Sequence, residues 1–267
     1  MAPVITQWSD FDSVYEAFEI NTHKFLYTTF SVIDDDDVFY FGQLSAPKLK
    51  ISLEQYTAAL ERIPDEDLFP EVPSDAHLTL AANDLDVGAL YIKRPRLRMY
   101  EEYKNDDMLS VIPTLLLDEA RALQIISQQP HPGIIGYHGC RVRRGRITGL
   151  VLDKHPHDLK EYLKDGVGEI DKEAFMAALE SAVQHLHSLG LAHNDINPAN
   201  ILINSAKMPV LVDFGSCRKI GTKLGASRGT VGWIDGDILE YAVSEERHDL
   251  SALEKIRVWF DAPDFDR

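Results

Sequence analysis

Two stretches of the sequence indicate the fold most clearly: HNDINPANILI at residues 193–203 and VDFG at residues 212–215. Before the first stretch, the apolar pattern predicts a helix from about residue 171 to residue 189. Gly190 would end this helix, because glycine readily takes the left-handed conformation common at helix ends. A short apolar strand, a turn and a second apolar strand at 210–212 are predicted next. The two stretches thus lie in a helix, loop, strand, turn and strand.

Three polar side chains in these stretches have the chemistry that phosphoryl transfer requires. Asp195 and Asn200 lie in the loop, and Asp213 follows the second strand. The reaction needs one carboxylate near the attacking hydroxyl, and a carboxylate and an amide that hold metal ions against the phosphates. A single aspartate in a loop is usually a turn or capping residue, so the prediction depends on the whole set, its spacing and its context. We predict a phosphoryl-transfer site here.

The composition excludes several classes of protein. The chain has 267 residues, of which 45% are apolar and 26% charged, and its formal net charge is −16. This charge disfavours binding to nucleic acids and anionic membranes. No apolar stretch is long enough to span a bilayer, no signal peptide is recognisable, and the two cysteines form neither a disulfide framework nor a metal-ligand pattern. We expect an intracellular, cytoplasmic protein without membrane insertion.

Residues 1–75 are predicted to form an N-terminal extension that packs on the rest of the chain. Strands at 25–33 and 38–41 would flank a turn of four aspartates. Ser52 would cap a short helix, and three prolines between residues 64 and 73 would mark an extended linker. We assign no chemistry to this region.

A lysine and a glutamate stand out in the next part of the chain. Strands are predicted at 77–81 and at 88–93, the second ending in Lys93. A helix is predicted from Pro113 to about Gln128, with Glu119 at helical spacing among apolar residues. An ionised carboxylate in such a stripe needs a partner. Further on, a strand at 147–152 precedes a short helix and the long helix described above.

These motifs, in this order, resemble the eukaryotic protein-kinase family. Residues 193–200 resemble its catalytic loop H-R-D-x-x-x-x-N, and residues 213–215 are its D-F-G. Residues 91–93 resemble the end of its V-A-I-K strand, and residues 229–233 (GTVGW) resemble the end of an activation segment. The resemblance extends over residues 77–260, and the pattern looks most like the compact kinase-like proteins common in filamentous fungi.

The resemblance implies an α+β, protein-kinase-like bilobal fold. Its N-lobe would be small and mostly β with one key helix, and its C-lobe would be truncated and mostly α. The kinase-like domain would cover residues 76–267, with the N-lobe at 76–153 and the C-lobe at 154–267.

The resemblance also implies ATP and Mg²⁺ as nucleotide and metal. Asp195 would orient and deprotonate the acceptor hydroxyl, while Asn200 and Asp213 would hold Mg²⁺. Lys93, paired with Glu119, would position the ATP phosphates.

On the adenine side, Tyr91 and Leu202 are the expected contacts. Tyr91 lies two residues before Lys93, so both side chains point to one face of a strand. The Tyr91 ring would either narrow the pocket or stack on the base, and Leu202 would form its floor.

Asp249 would bind the backbone of the catalytic loop.

Five departures from the family pattern affect nucleotide binding and regulation. No G-x-G-x-x-G loop precedes Lys93, and Tyr91 stands where the family has alanine. Asn194 replaces the arginine of H-R-D, and Asn197 replaces the lysine of serine/threonine kinases. The A-P-E motif reads Asp-Gly-Asp at residues 235–237. Without the glycine amides, we expect weak ATP binding that depends on Mg²⁺.

Three functions remain open from the sequence. The first is a minimal protein serine/threonine kinase, acting on a hydroxyl-bearing substrate that is a protein rather than a small molecule. The second is a small-molecule kinase of the choline or aminoglycoside type, which the His-Asn-Asp sequence and Asn197 favour. The third is a pseudokinase or binding module, which Tyr91 and the degenerate glycine loop favour.

Overall fold

The computed structural model describes residues 2–19, 21–74, 77–82, 85, 88–225, 227–238 and 241–265. The chain divides into two compact units: residues 1–74, 94–114 and 142–149 form the first, and residues 75–93, 115–141 and 150–267 form the second. The predicted boundary at residue 75 lies next to the end of the first range of the first unit. Residues 94–114 and 142–149, however, group with the N-terminal residues. The division into an extension and a kinase-like domain stays a prediction.

The first unit contains an antiparallel sheet in the order β1-β2-β3-β4. Its strands are β1 (Ser13–Phe18), β2 (Phe25–Ile33), β3 (Phe39–Leu44) and β4 (Glu61–Arg62). β2 has the predicted bounds, and β3 extends further than predicted. The sequence did not predict β1, because its side chains are partly or fully exposed without regular alternation. Phe30 and Tyr56 lie in the core beneath the sheet, with ring centroids 4.7 Å apart.

The helices of the first unit confirm one prediction and correct another. Ser52 caps α1 (Leu53–Ala58), and its side chain and that of Gln55 bind each other's backbone N–H groups. The predicted extended linker contains a further short helix, α2 (Asp65–Leu68). Three acidic residues lie in its first turn, where their negative charges stabilise the helix by interacting with the positive end of its dipole. The expectation of a wholly extended segment was therefore wrong.

A buried aspartate explains why two later ranges belong to the first unit. Asp37 is 0% exposed. Its carboxylate accepts hydrogen bonds from Nη2 of Arg94 at 2.6 Å and from Oγ1 of Thr148 at 2.9 Å. Nη2 of Arg144 donates to its backbone oxygen at 3.2 Å. A buried charge needs such partners, and they come from both later ranges. A helix that the sequence did not predict, α3 (Tyr100–Asn105), also belongs to this unit.

Lys93, in the second unit, ends the edge strand β5 of a three-stranded sheet with the order β5-β7-β6. Its strands are β5 (Leu90–Lys93), β6 (Tyr137–Arg143) and β7 (Arg146–Asp153). Residues 90–93 pair with residues 150–153, and the β6–β7 turn contains Gly145 in the left-handed conformation. The predicted strand at 77–81 is wrong: there is a single parallel bridge between Leu80 and Cys140.

Further helices belong wholly or mostly to the second unit. They are α4 (Val111–Ile126, whose first turn lies in the first unit), α5 (Leu159–Lys164), α6 (Lys172–Ser188) and α7 (Glu246–Asp261). The Asp171 side chain caps α6, and Gly190 follows it with φ +74°, as predicted. In the part of the chain that the structure describes, no helix is long and apolar enough to cross a membrane.

Four short strands complete the second unit around the predicted site. β9 (Ile201–Ile203) pairs with β10 (Pro209–Leu211), and β8 (Leu191–Ala192) pairs with β11 (Arg218–Lys219). The loops containing Asp195 and Asp213 are thus each flanked by strands, with the first loop closed by β8 and β9.

Candidate active site

Lys93 lies between two carboxylates of the second unit. Its Nζ is 2.6 Å from Oε1 of Glu119 and 2.9 Å from Oδ1 of Asp213. Only 18% of the Lys93 side chain and 6% of the Glu119 side chain are exposed. Burial acts to lower the pKa of Lys93, but the two carboxylates outweigh it, so the pKa is raised and the amine is protonated. The predicted pair of Lys93 and Glu119 is therefore present.

Glu119 also fixes the backbone next to Asp213. Its Oε1 accepts the backbone N–H of Phe214 at 2.9 Å. The Phe214 side chain is fully buried and packs on the His193 ring, with centroids 5.0 Å apart. Asp213 itself has φ +63°, a conformation that non-glycine residues seldom adopt. The backbone after this strained aspartate is thus fixed by Glu119 and by the packing of Phe214, and the Asp213 side chain contacts Lys93.

Asp195 is held by three polar side chains. Thr230 Oγ1 donates to Oδ1 of Asp195 at 2.7 Å, and Asn197 Nδ2 donates to the same oxygen at 3.1 Å. Asn200 Nδ2 donates to the other oxygen, Oδ2, at 3.2 Å. Burial raises the pKa of Asp195, although the bond from Thr230 and the nearby His193 ring oppose the shift. The carboxylate is oriented and partly desolvated, as a proton acceptor requires.

Asn200 and Asp213 are brought to adjacent positions by the β9–β10 pair. The backbone N–H of Val212 donates to the backbone oxygen of Asn200 at 3.0 Å, and Asp213 follows Val212 directly. The Asn200 amide nitrogen binds Asp195, which directs its nitrogen away from a metal and leaves oxygen as the ligand atom. Carboxylate and amide oxygens suit Mg²⁺. Among the described residues, no group of three or more His, Cys, Asp or Glu side chains is placed to hold a metal ion.

α7 anchors the loop of residues 193–200 through Asp249. Its Oδ2 accepts the backbone N–H of His193, and its Oδ1 accepts that of Asn194, both at 2.8 Å. His187 Nε2 lies 2.9 Å from Oδ2 of the same carboxylate. The expected bond from Asp249 to the loop backbone is confirmed. His187 thus links α6 to the same carboxylate.

Asn194 forms a neutral network inside the fold. The residue is buried, with φ +63°, which asparagine tolerates better than most residues. Its amide nitrogen donates to the oxygens of Ala192 and Ser216 and to Oγ of Ser244, at 2.8, 3.1 and 3.0 Å. Its amide oxygen lies 3.2 Å from Nδ1 of His248. Both ends of the side chain are therefore engaged with neighbouring segments.

The adenine-side residues are less closely tied to the other groups. Tyr91 pairs with Leu152 across β5 and β7, and its side chain is 49% exposed. Leu202 lies half-buried on β9 opposite Val210. Among the described residues, no hydrogen bond joins Tyr91 to Lys93 or to Asp195. The adenine-binding roles of Tyr91 and Leu202 stay predictions.

Sequence reasoning missed several residues around the site. Ser244 binds Asn194, Arg218 pairs with Asp118 at 2.8 Å, and Lys255 binds the segment after Thr230. None belongs to a motif by which it could be recognised. Lys255 differs in sequence from an ordinary helix-surface lysine only by its place on the buried side of α7, beside Ile256 and Trp259.

The sequence matches the family model described as Protein kinase domain over residues 98–254. This range contains Glu119, Asp195, Asn200 and Asp213, and it begins after Tyr91 and Lys93. The pairing of Lys93 with Glu119 therefore rests on the geometry.

Curated relatives are similar over part of this chain. The serine/threonine-protein kinase/endoribonuclease IRE1 of Hypocrea jecorina is 27% identical, over 63% of this chain and 14% of that protein. The MAP kinase kinase kinase SSK2 of Saccharomyces cerevisiae is 29% identical, over 59% and 10%. The serine/threonine-protein kinase Tao of Drosophila melanogaster is 30% identical, over 53% and 13%. The chain thus spans less than a fifth of the length of each of these relatives.

A solved structure, that of the Cydia pomonella granulovirus kinase PK-1, aligns with a TM-score of 0.46 and 20% identity, covering 55% of each chain. The family match itself covers more than half of the present chain. The chain therefore belongs to the protein kinase domain family and has its α+β fold.

Proposed function

We propose that the chain transfers the γ-phosphate of ATP to a serine or threonine hydroxyl of a protein. One observation supports this above all: a protonated, buried lysine held by two carboxylates and an oriented aspartate with its asparagine occur in one compact unit. These are the polar groups that phosphoryl transfer to a hydroxyl requires.

Lys93 would bind the phosphates. Its ammonium group carries a full charge, and Glu119 fixes it at 2.6 Å. A phosphate oxygen that approaches the lysine gains a charge-assisted hydrogen bond, which is stronger than one between neutral groups. The sequence before Lys93 lacks the G-x-G-x-x-G motif whose backbone amides bind phosphates, so we expect Lys93 to supply a larger share of the binding free energy than in kinases that have this motif.

Asp195 would act on the acceptor hydroxyl. Its carboxylate is held by Thr230, Asn197 and Asn200. The hydroxyl oxygen forms a bond to the γ-phosphorus as the bond from that phosphorus to the bridging oxygen breaks, and ADP leaves. The hydroxyl proton passes to Asp195, whose raised pKa favours its acceptance.

Asn200 and Asp213 would hold Mg²⁺ through their side-chain oxygens. The ion, when bound, neutralises phosphate charge. The residues of this chain contribute the position: the β9–β10 pair holds Asn200 beside Val212, and Lys93 holds Asp213. Tyr91 and Leu202 would bind the adenine.

A binding module without turnover is the second candidate. The 49% exposed ring of Tyr91 on the lysine strand and the absence of a glycine-rich sequence before Lys93 favour it. The chain retains every polar group named above for phosphoryl transfer. A module that only binds a nucleotide would not need all of them. This favours the kinase.

Product analysis tests the proposal. The protein is incubated with γ-labelled ATP, Mg²⁺ and casein, and the labelled protein is hydrolysed to identify the phosphorylated amino acids. Labelled phosphoserine or phosphothreonine, in casein or in the chain itself, is expected. ATP binding without label in any protein would contradict a protein kinase and support the binding module. Label in added choline or kanamycin alone would support a small-molecule kinase.

A further inference from the structure

Thr230 contacts Asp195 from a segment that needs an anchor of its own. Its hydroxyl donates to Asp195 at 2.7 Å, yet the residue is exposed. Its carbonyl oxygen accepts the backbone N–H groups of Trp233 at 3.0 Å and of Ile234 at 3.3 Å. Thr230 is thus the first residue of a tight turn, and the position of its hydroxyl depends on what fixes residues 230–235, which we call the 230–235 turn.

Lys255 on α7 binds the far end of this turn. Its Nζ donates to the backbone oxygens of Trp233 at 3.2 Å and of Ile234 at 2.6 Å, and it pairs with Oδ1 of Asp235 at 2.6 Å. An ammonium group has three donors. All three have acceptors in three consecutive residues, which is more than a surface ion pair provides.

Apolar packing beside Lys255 supports the same attachment. The Trp233 indole is buried and meets Trp259 edge-on, with centroids 6.0 Å apart. Trp259 follows Lys255 by four residues, so both side chains lie on the face of α7 that contacts the 230–235 turn. The turn is fastened by a charge and by an aromatic contact from the same helix.

The same helix also binds the catalytic loop. Asp249, in the first turn of α7, accepts the backbone N–H groups of His193 and Asn194. α7 therefore holds the loop that carries Asp195 and, through Lys255, the turn that carries Thr230. A rigid helix that holds both partners sets the distance between them.

We infer that Lys255 is a positioning residue for the proposed phosphoryl transfer. It fixes the 230–235 turn on α7 and so keeps the Thr230 hydroxyl on the Asp195 carboxylate. This inference rests on the proposed function, because it assigns the effect of Lys255 to the orientation of Asp195. Lys255 touches neither the nucleotide-side residues nor Asp195 itself.

Five variants test the inference with γ-labelled ATP, Mg²⁺ and casein. Lys255→Met should lower kcat, by up to about 100-fold for a misplaced catalytic group, while the KM for ATP stays within about twofold. Lys255→Arg should recover part of the loss, since it retains the charge. Arg257→Met is the control, because Arg257 pairs with Glu180 on α6. Its kcat should stay at the wild-type value. In a Thr230→Val background, Lys255→Met should add little, because both changes act on one contact.

Two results would overturn the inference: a kcat for Lys255→Met equal to that of Arg257→Met, or an undiminished effect of Lys255→Met in the Thr230→Val background. A different result would show that the proposed function itself is wrong: the wild-type rate of phosphoryl transfer would be no higher than the rate of Asp195→Asn.

If the proposed function fails in this way, hydrogen exchange still tests whether Lys255 anchors the 230–235 turn. Lys255→Met should speed exchange of the Trp233 and Ile234 amides relative to Arg257→Met, and equal exchange in the two variants would contradict the anchor.

Discussion

The ammonium group of Lys93 and the carboxylate of Glu119 lie 2.6 Å apart, and little of either side chain is exposed to water. Removal of one member of such a pair leaves the other buried without its counter-charge. Because Glu119 also accepts the N–H of Phe214, the same carboxylate sets the position of the lysine and of the backbone beside Asp213.

Glu119→Gln should weaken ATP binding. The amide can still accept the Phe214 N–H, so the local fold is retained, but Lys93 loses a charged partner. We expect a loss of affinity of about tenfold, typical of one charge-assisted hydrogen bond. Calorimetric titration with ATP and Mg²⁺ measures it. Glu173→Gln, at an exposed position in the first turn of α6, is the matched control. Equal affinities in the two variants would contradict the role of Glu119.

Asp213→Asn should remove the dependence of nucleotide binding on Mg²⁺. The amide keeps an oxygen but not the charge that a divalent cation requires. In the wild type, affinity for ATP should rise on addition of Mg²⁺; in the variant it should not. Asp165→Asn, just after α5, should behave like the wild type. A variant that still responds to Mg²⁺ would show that another residue binds the ion.

Phosphatase treatment should leave the activity unchanged. A phosphorylated activation segment needs a cation beside the catalytic loop, and the residue before Asp195 is the neutral Asn194, whose donors already bind Ala192, Ser216 and Ser244. Thr222→Ala should therefore retain full transfer activity. Thr230→Ala should lose activity for another reason, because its hydroxyl binds Asp195. Activity that phosphatase abolishes would refute this prediction.

Tyr91→Ala should change the affinity for ATP. The ring lies on the strand that ends in Lys93 and is 49% exposed. A gain in affinity would mean that the ring obstructs the base, and a loss would mean that it stacks on the base. Tyr91→Phe keeps the ring and should bind like the wild type. An unchanged affinity in Tyr91→Ala would place the adenine elsewhere.

Local patterns predicted several helices and strands of both units. The bounds of β2, the cap of α1 and the glycine after α6 follow from apolar periodicity and from residues with known local preferences, which neighbours in sequence determine. Glu119 could be predicted to need a partner because a carboxylate in an apolar stripe is costly.

Tertiary contacts explain what the sequence could not predict. The strand expected at 77–81 reduces to one bridge, since its pairing depends on Cys140, far away in the chain. The partners of Asp37 come from two distant ranges. Lys255 follows no motif, and its role emerges only where α7 meets the turn after Thr230. Contacts of this kind are set by topology rather than by local preference.

The most direct measurement compares the rate of phosphoryl transfer from γ-labelled ATP in the wild type and in Asp195→Asn, with ATP and Mg²⁺ saturating. Asparagine keeps the size of the side chain but cannot accept the hydroxyl proton. We predict unchanged nucleotide affinity and a rate lower by at least about 100-fold, the usual contribution of a positioned base. Transfer at the wild-type rate in Asp195→Asn would contradict the proposed mechanism.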